Sequence, residues 1–280
     1  MTHPHYPLLV YGATSAGLGL TVAAPAGTLL VERSSLVGHE FVAAYNPGHR
    51  WERRLDSAAA ELLRTELLER GLLTPEGRVH LPAIAPVLFR LIRQHCLHVQ
   101  MMTEIVEVVP DRNGYAVTLL NASGLTRVTA GRLIDTTPLC SSLGARRMTP
   151  IAKSINAMLH APGTAELPPS PLPEPLDGRV SLLDGLYPGE RILRLELDAG
   201  DGWLTAREKL HRYWADHYTA FAPWTIAALA DAFDIRTTEL DRDIADRWSW
   251  FPSSSYANLL EAYDAGYTKG CLLHETTVSA

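Results

Sequence analysis

Apolar runs and a helical pattern alternate near the start of the chain. The run PLLVY over residues 7–11 stops at Gly12, which predicts a buried parallel strand followed by a tight turn. Residues 15–24 (SAGLGLTVAA) are small and apolar, which predicts a helix packed closely against a sheet. A second apolar run over residues 28–32 ends in Glu32. The order strand, helix, strand predicts a βαβ unit.

Helices and then strands are predicted in the next part of the chain. Residues 34–50 are rich in turn-forming types and predict a loop. Apolar positions at helical spacing predict a helix within residues 51–70, and Pro82 begins a second helix. Three strands separated by turn signals follow, over residues 98–109, 114–120 and 125–134.

The pattern is weaker in the second half of the chain. The proline-rich stretch 161–178 predicts an extended surface connection between two lobes. After it we predict a hairpin with its turn at Pro188–Gly189, a helix over residues 204–217 and a short helix over residues 224–234. A serine-rich turn then leads into a last helix.

Composition and charge exclude several kinds of partner. The 280 residues are 46% hydrophobic and 20% charged, as in ordinary globular proteins. The net charge of −6 comes without a basic stripe, so no nucleic-acid partner is expected. No run reaches the ~18 apolar residues of a membrane span, and the N-terminus lacks the basic region of a signal peptide. We therefore expect a cytoplasmic protein that does not bind membranes.

The cysteines and histidines suggest no metal site. Cys96, Cys140 and Cys271 are scattered, which fits neither a disulfide framework nor a zinc site. His95 and His98 stand three residues apart, a spacing that suits either chelation or a solvated helix end. We expect the second of these.

The turn after the first strand is typical of a nucleotide site. In LVYGATSAG, Gly12 and Gly17 occupy two of the three glycine positions of the dinucleotide fingerprint, and Thr14 replaces the middle glycine. The helix that follows would point its N-terminus at a pyrophosphate. Glu32 would accept hydrogen bonds from the ribose hydroxyls. The alternatives are an ordinary βα turn and a solvated charge at a strand end.

These motifs resemble the FAD-dependent oxidoreductases of the glutathione-reductase type. The similarity covers residues 7–145 well and residues 245–272 loosely, and residues 146–244 match nothing in it. The matching stretches are Tyr11–Gly17, Leu29–Glu32, Leu36–Gly38, Leu133–Thr137 and Ser253–Tyr256 leading into Ala257–Gly266.

The resemblance implies an α/β fold with a Rossmann-like FAD/NAD(P)-binding domain and a smaller α+β region. The domain would hold a parallel sheet with an inserted hairpin, formed by residues 1–150 and 245–280. Residues 151–244 would form the substrate or cap region. The chain would be an FAD-dependent enzyme acting on a small organic substrate, such as an amine or a biosynthetic intermediate. It would act alone, as a homodimer or with a partner subunit.

The resemblance also implies which residues contact the cofactor. They are Gly12, Thr14, Ser15, Ala16, Gly17, Glu32, Arg33, Gly38, Thr136, Ser254 and Ser255. A valine at Gly17 is expected to reduce cofactor occupancy before it reduces folding.

Two departures from the family pattern favour a second hypothesis. His39 follows Gly38 where the family has a second glycine, and Pro138 replaces the glycine that ends the IDTTP segment. The chain could therefore keep the fold with a degenerate cofactor site and serve as a non-redox ligand-binding or partner-binding protein. A short-chain NAD(P) enzyme is disfavoured because the middle of the chain has no Y-x-x-x-K at a helical position.

Candidate catalytic groups lie in the loop after Glu32. His39, Tyr45 and His49 can exchange protons or hydrogen-bond a substrate. The alternatives for His39 are a surface histidine or a side chain that fills the space of a flavin. Near the C-terminus, Trp248, Trp250 and Phe251 suit either a wall of the flavin site or core packing.

Overall fold

The computed structural model describes residues 3–162 and 178–278, with side chains as far as residue 275. Most of the proline-rich stretch 161–178 lies outside these residues, so the predicted connection is not described. The described residues form two sheets of eight and five strands. None of their helices is both long enough and apolar enough to cross a bilayer.

Five parallel strands form the centre of the larger sheet. In spatial order they are β13 (Trp248–Trp250), β6 (Gly124–Asp135), β1 (His5–Tyr11), β2 (Leu29–Val31) and β3 (His98–Gln100). Three antiparallel strands complete this sheet: β4 (Glu104–Asp111), β5 (Gly114–Asn121) and β12 (Arg242–Ala245). The hairpin of β4 and β5 joins the first half of β6, and β13 joins its last residues.

Helices cover the larger sheet. They are α1 (Ser15–Ala23), α2 (Ala58–Glu69), α3 (Ile84–Gln94) and α5 (Leu259–Val278). Glycines bring α1 and α5 together at short range. A Cβ atom on Gly19 would lie 2.0 Å from the carbonyl oxygen of Tyr263, and one on Gly266 would lie 2.0 Å from that of Ala16. This close packing holds the N-terminus of α1 against the ends of the strands.

The smaller sheet is entirely antiparallel. Its strands are β7 (Ala152–His160), β8 (Val180–Asp184), β9 (Glu190–Glu196), β10 (Thr225–Leu229) and β11 (Asp234–Arg236). The amphipathic helix α4 (Trp203–Phe221) buries Ala206, Leu210 and Phe221 in the core of this sheet.

Buried polar contacts join the smaller sheet to the loop that follows β2. The side-chain amide of Asn156 donates to the carbonyl oxygen of Ala44 at 2.8 Å. Asn46 donates to Asp234 at 3.0 Å, and Arg194 lies 2.9 Å from the same carboxylate. Because Asn156 and Asp234 are buried, these bonds fix the loop in one position.

The predicted fold class is confirmed, with three corrections to its elements. Residues 98–109 do not form one strand, because the chain turns between β3 and β4. Gln100 accepts a hydrogen bond from the backbone N–H of Glu32, and the N–H of Thr103 donates to the carbonyl oxygen of Glu32. Residues 224–234 form strand β10 and a turn in place of the predicted helix, because pairing with β7 overrides their helical pattern. The helix within residues 51–70 begins only at Ala58, where the hydroxyl of Ser57 caps it. The proposed domain limits stay a prediction.

Candidate functional site

A cleft of about 820 Å³ opens at the carboxyl ends of β1, β2 and β6, between the two sheets. Ligands of parallel sheets bind at this edge, and the volume lies within the ~300–1,000 Å³ of small-molecule sites. The larger sheet and its loops contribute Gly12, Glu32, Arg33, His39, Glu40 and Pro138 to the lining. The side of the smaller sheet contributes Lys153, Trp203, Phe233 and Ile235.

Glu32 ends β2 with its carboxylate at the floor of the cleft. One oxygen accepts from the backbone N–H of Ala13 at 2.7 Å, and the other accepts from that of Ser34 at 2.6 Å. Burial raises the pKa of Glu32, but the charge of His39 and the bonds from Ser34 outweigh it and lower the pKa to about 2. Glu32 is buried but lines the cleft, so a ligand that enters the cleft meets this carboxylate.

His39 forms an ion pair with Glu32 across the cleft floor. Its Nδ1 atom lies 3.5 Å from the carboxylate, and 20% of its side chain is exposed. Burial lowers the pKa of His39, but the negative charge of Glu32 raises it to about 9. The imidazole is therefore a cation at neutral pH, able to donate a proton and unable to accept one.

The N-terminus of α1 is already satisfied by the protein's own side chains. The N–H of Gly17 donates to the hydroxyl of Thr14 at 3.0 Å, and that of Ala16 to the hydroxyl of Ser253 at 3.2 Å. The N–H of Ser15 donates to the carboxylate of Glu40 at 2.7 Å. These are the groups that would bind an anion at a helix N-terminus.

Close packing around Thr136 explains the glycines of the fingerprint. A Cβ atom on Gly17 would lie 2.0 Å from the carbonyl oxygen of Gly12, and one on Gly12 would lie 2.9 Å from the hydroxyl of Thr136. The hydroxyl of Thr136 also accepts from Thr14 at 2.8 Å and bonds the carbonyl oxygen of Gly12 at 2.9 Å. These residues therefore tie β1, α1 and β6 together.

The other predicted residues are spread around this centre. Arg33 lines the cleft with a 61% exposed side chain, 4.0 Å from Glu104. Gly38 lies beneath the cleft with φ +66° and donates its N–H to the carbonyl oxygen of Ala13. The hydroxyl of Ser255 bonds the carbonyl oxygen of Glu239, and the buried hydroxyl of Ser254 has no partner among the described residues.

Only one of the three candidate catalytic residues lies in the cleft. His39 lines it, whereas Tyr45 packs against the core and His49 is exposed beside Asn258. The aromatic residues near the C-terminus are buried. Trp250 donates its indole N–H to the carbonyl oxygen of Thr137 at 2.8 Å, which supports the interpretation as core packing.

Two features of the site were not predicted from the sequence. Glu40 is 4% exposed, although its neighbours in sequence gave no sign that a loop carboxylate would turn inward. The apolar wall formed by Trp203 and Phe233, whose rings are 5.0 Å apart, belongs to residues that matched no family pattern. Lys153 lies 4.0 Å above the Phe233 ring, and burial lowers its pKa.

Similarity to known proteins is found in structure alone. No protein-family model and no curated protein sequence matches the chain. The p-nitrophenol 4-monooxygenase PnpA of Pseudomonas putida DLL-E4 superposes with a TM-score of 0.58 at 12% identity, over 99% of this chain and 80% of that one. A geranylgeranyl bacteriochlorophyll reductase-like protein of Thermoplasma acidophilum gives 0.63 at 12% identity, over 99% and 80%.

A third structure was solved with ligands. The aklavinone-11 hydroxylase in complex with FAD and aklavinone has a TM-score of 0.51 at 13% identity, over 100% of this chain and 63% of that chain. At these identities the similarity shows a shared fold. The chain therefore shares the Rossmann-like fold of these three proteins, one of which was solved with FAD bound.

Three properties of the cleft suit an adenine dinucleotide. They are its position at the ends of the strands, its volume and the ionised carboxylate of Glu32. The N-terminus of α1 fits the pyrophosphate only after the carboxylate of Glu40 leaves it, because that carboxylate now holds the N–H of Ser15. Among the described residues, no group of three His, Cys, Asp or Glu side chains is arranged to hold a metal ion.

Proposed function

We propose that the chain is an FAD-dependent oxidoreductase that acts on a small organic substrate. The observation that carries this proposal is Glu32, a carboxylate that directly follows β2, lines a cleft of cofactor size and has its pKa lowered by the charge of His39. The FAD complex of a structurally similar hydroxylase supports it. The closer assignment to the glutathione-reductase type rests on the sequence motifs and stays a prediction.

FAD, when bound, supplies the redox chemistry, and the protein contributes binding, orientation and charge. Glu32 would hold the adenosine ribose, as the carboxylate at the end of the second strand does in this fold. His39 keeps Glu32 ionised and adds a positive charge to the cleft floor. In this pairing His39 is a positioning residue for Glu32, and the hypothesis that it exchanges protons with a substrate stays a prediction.

The substrate would occupy the end of the cleft that the smaller sheet lines. Trp203 and Phe233 offer apolar and aromatic surface there, and Asp201 and Asp231 add carboxylates at its margin. Such a surface suits a flat, mainly apolar molecule of moderate size. One structural neighbour is named for p-nitrophenol, which is a flat aromatic molecule.

Replacing Glu32 with glutamine should weaken FAD binding by about 5-fold to 10-fold. A hydrogen bond to a charged group contributes about 1.5–3 kcal/mol and a neutral one about 0.5–1.5 kcal/mol, so the substitution loses roughly 1–1.5 kcal/mol. The measurement is a titration of FAD into the purified full chain, followed by quenching of flavin fluorescence, with a thermal melt of each variant.

The matched control for this variant is Glu107→Gln. Glu107 is an exposed carboxylate on strand β4 that does not line the cleft, and its change should leave the affinity unaltered. Equal affinities of the wild type and the folded Glu32→Gln variant would remove Glu32 from the site. No binding by the wild type would refute the proposed function.

A non-redox binding protein is the second candidate function. The observation that favours it is the carboxylate of Glu40 at the N-terminus of α1, where a dinucleotide would place its own negative charge. Under this hypothesis the cleft binds a small molecule that lacks a pyrophosphate. FAD would then fail to bind the wild-type chain even at concentrations that would saturate the site of an FAD-dependent enzyme.

A further inference from the structure

A buried carboxylate occupies the N-terminus of α1 from inside the protein. Glu40 accepts hydrogen bonds on one oxygen from the N–H of Ser15 at 2.7 Å and from the hydroxyl of Ser253 at 2.6 Å. The hydroxyl of Ser253 accepts in turn from the N–H of Ala16 at 3.2 Å. Glu40 and Ser253 together therefore take two of the free N–H groups of the first helical turn.

Two polar atoms at the same point have no partner among the described residues. They are the second carboxylate oxygen of Glu40 and the hydroxyl of Ser15, and both side chains are more than nine-tenths buried. A buried polar atom without a partner is costly, and such atoms cluster where a ligand or a conformational change satisfies them. The protein itself therefore satisfies only part of the hydrogen-bonding capacity of Glu40 and Ser15.

The position of Glu40 follows from the turn that precedes it. The N–H of Gly38 bonds the carbonyl oxygen of Ala13 at 2.7 Å, and Gly38 adopts φ +66°, so the loop folds back over α1. Glu40 also lines the cleft, although only 4% of the residue is exposed. Turning its side chain toward the cleft would free the N–H of Ser15.

From this geometry we propose that Glu40 is an internal competitor for the pyrophosphate of the cofactor. A phosphate anion and this carboxylate seek the same N–H groups and repel each other at short range. The affinity for a dinucleotide is then set by how readily Glu40 leaves. This inference rests on the proposed function and adds to it a residue that controls cofactor loading.

The test compares FAD with riboflavin. FAD carries the pyrophosphate and the adenosine, and riboflavin carries neither. Glu40→Gln keeps an oxygen that can accept from Ser15 and Ser253 but removes the charge. The purified variant of the 280-residue chain should bind FAD at least about tenfold more tightly than the wild type, because a like charge beside the pyrophosphate has gone. Its affinity for riboflavin should equal that of the wild type.

Asp264→Asn provides the matched control. Asp264 is also a buried carboxylate that accepts two backbone N–H bonds, from Asp56 and Ser57, and it does not line the cleft. This change should leave both flavin affinities as they are. A second test variant is Ser253→Ala, which removes one bond that holds Glu40 and should tighten FAD binding several-fold. It keeps the inference testable if Glu40→Gln does not fold.

The outcomes separate the inference from the proposed function. If the wild type binds FAD and neither variant binds it more tightly, the inference is refuted and the proposed function stands. If only the variants bind FAD, the inference stands and the wild type is not an FAD enzyme. If none binds FAD, both are refuted. An equal gain for riboflavin would also refute the inference, since the effect would then lie outside the anion site.

Discussion

Replacing Gly17 with valine should lower the free energy of unfolding by more than about 3 kcal/mol, without any cofactor present. A Cβ atom at this position would lie 2.0 Å from the carbonyl oxygen of Gly12 and 2.7 Å from the hydroxyl of Thr136. The first is a backbone atom in a tight turn, so the helix itself must move, and overpacking of this kind exceeds the usual ~1–3 kcal/mol. The packing contradicts the sequence-based expectation that cofactor occupancy would fall first.

Urea denaturation of the cofactor-free chain measures this effect. The control is Gly200→Val, because a Cβ atom on Gly200 would meet nothing within 4 Å. That variant should keep the stability of the wild type within ~0.5 kcal/mol. A Gly17→Val protein as stable as the control would show that α1 does not pack against the turn as described.

The second large effect is the contribution of the His39–Glu32 ion pair to stability as a function of pH. The pKa of His39 is raised from 6.5 to about 9, so its contribution is complete below pH 6.5 and is lost as the pH rises through about 9. The pKa of Glu32 is lowered from 4.5 to about 2, so its contribution is complete above pH 4.5 and is lost as the pH falls through about 2. The pair is therefore fully effective between pH 4.5 and 6.5.

The wild type should lose roughly 3 kcal/mol of this contribution between pH 6.5 and 9. His39→Gln should lack that loss, so the difference in unfolding free energy between the two proteins should shrink as the pH rises. His49→Gln replaces an exposed histidine in the same loop and should keep the wild-type slope. A constant difference between wild type and His39→Gln over this range would rule out the ion pair.

The central part of the fold could be predicted from local pattern. The small-residue helix over residues 15–24 and the apolar runs on either side of it are determined by their own sequence, and the structure places them as β1, α1 and β2. Residues 224–234 could not be predicted in this way. Their alanine-rich pattern suits either state, and only the partner strand β7, which no pattern identified, decides for a strand.

The candidate site was predictable only where it depends on the βαβ unit. Glu32 lies at the cleft because the strand before it ends there. Glu40 depends on a turn at Gly38 that folds the loop back, and its partner Ser253 lies more than two hundred positions away in sequence. A contact over that separation leaves no periodic signal. Tyr45 and His49 share a loop with His39 in sequence, but they do not line the cleft.

The most direct test of this account is a crystal structure of the 280-residue wild-type chain grown with FAD. We expect the adenosine ribose at Glu32, the pyrophosphate at the N-terminus of α1, and the carboxylate of Glu40 displaced from the N–H of Ser15, which it now holds at 2.7 Å. A structure in which saturating FAD leaves the cleft empty and Glu40 still bonded to Ser15 and Ser253 would contradict it.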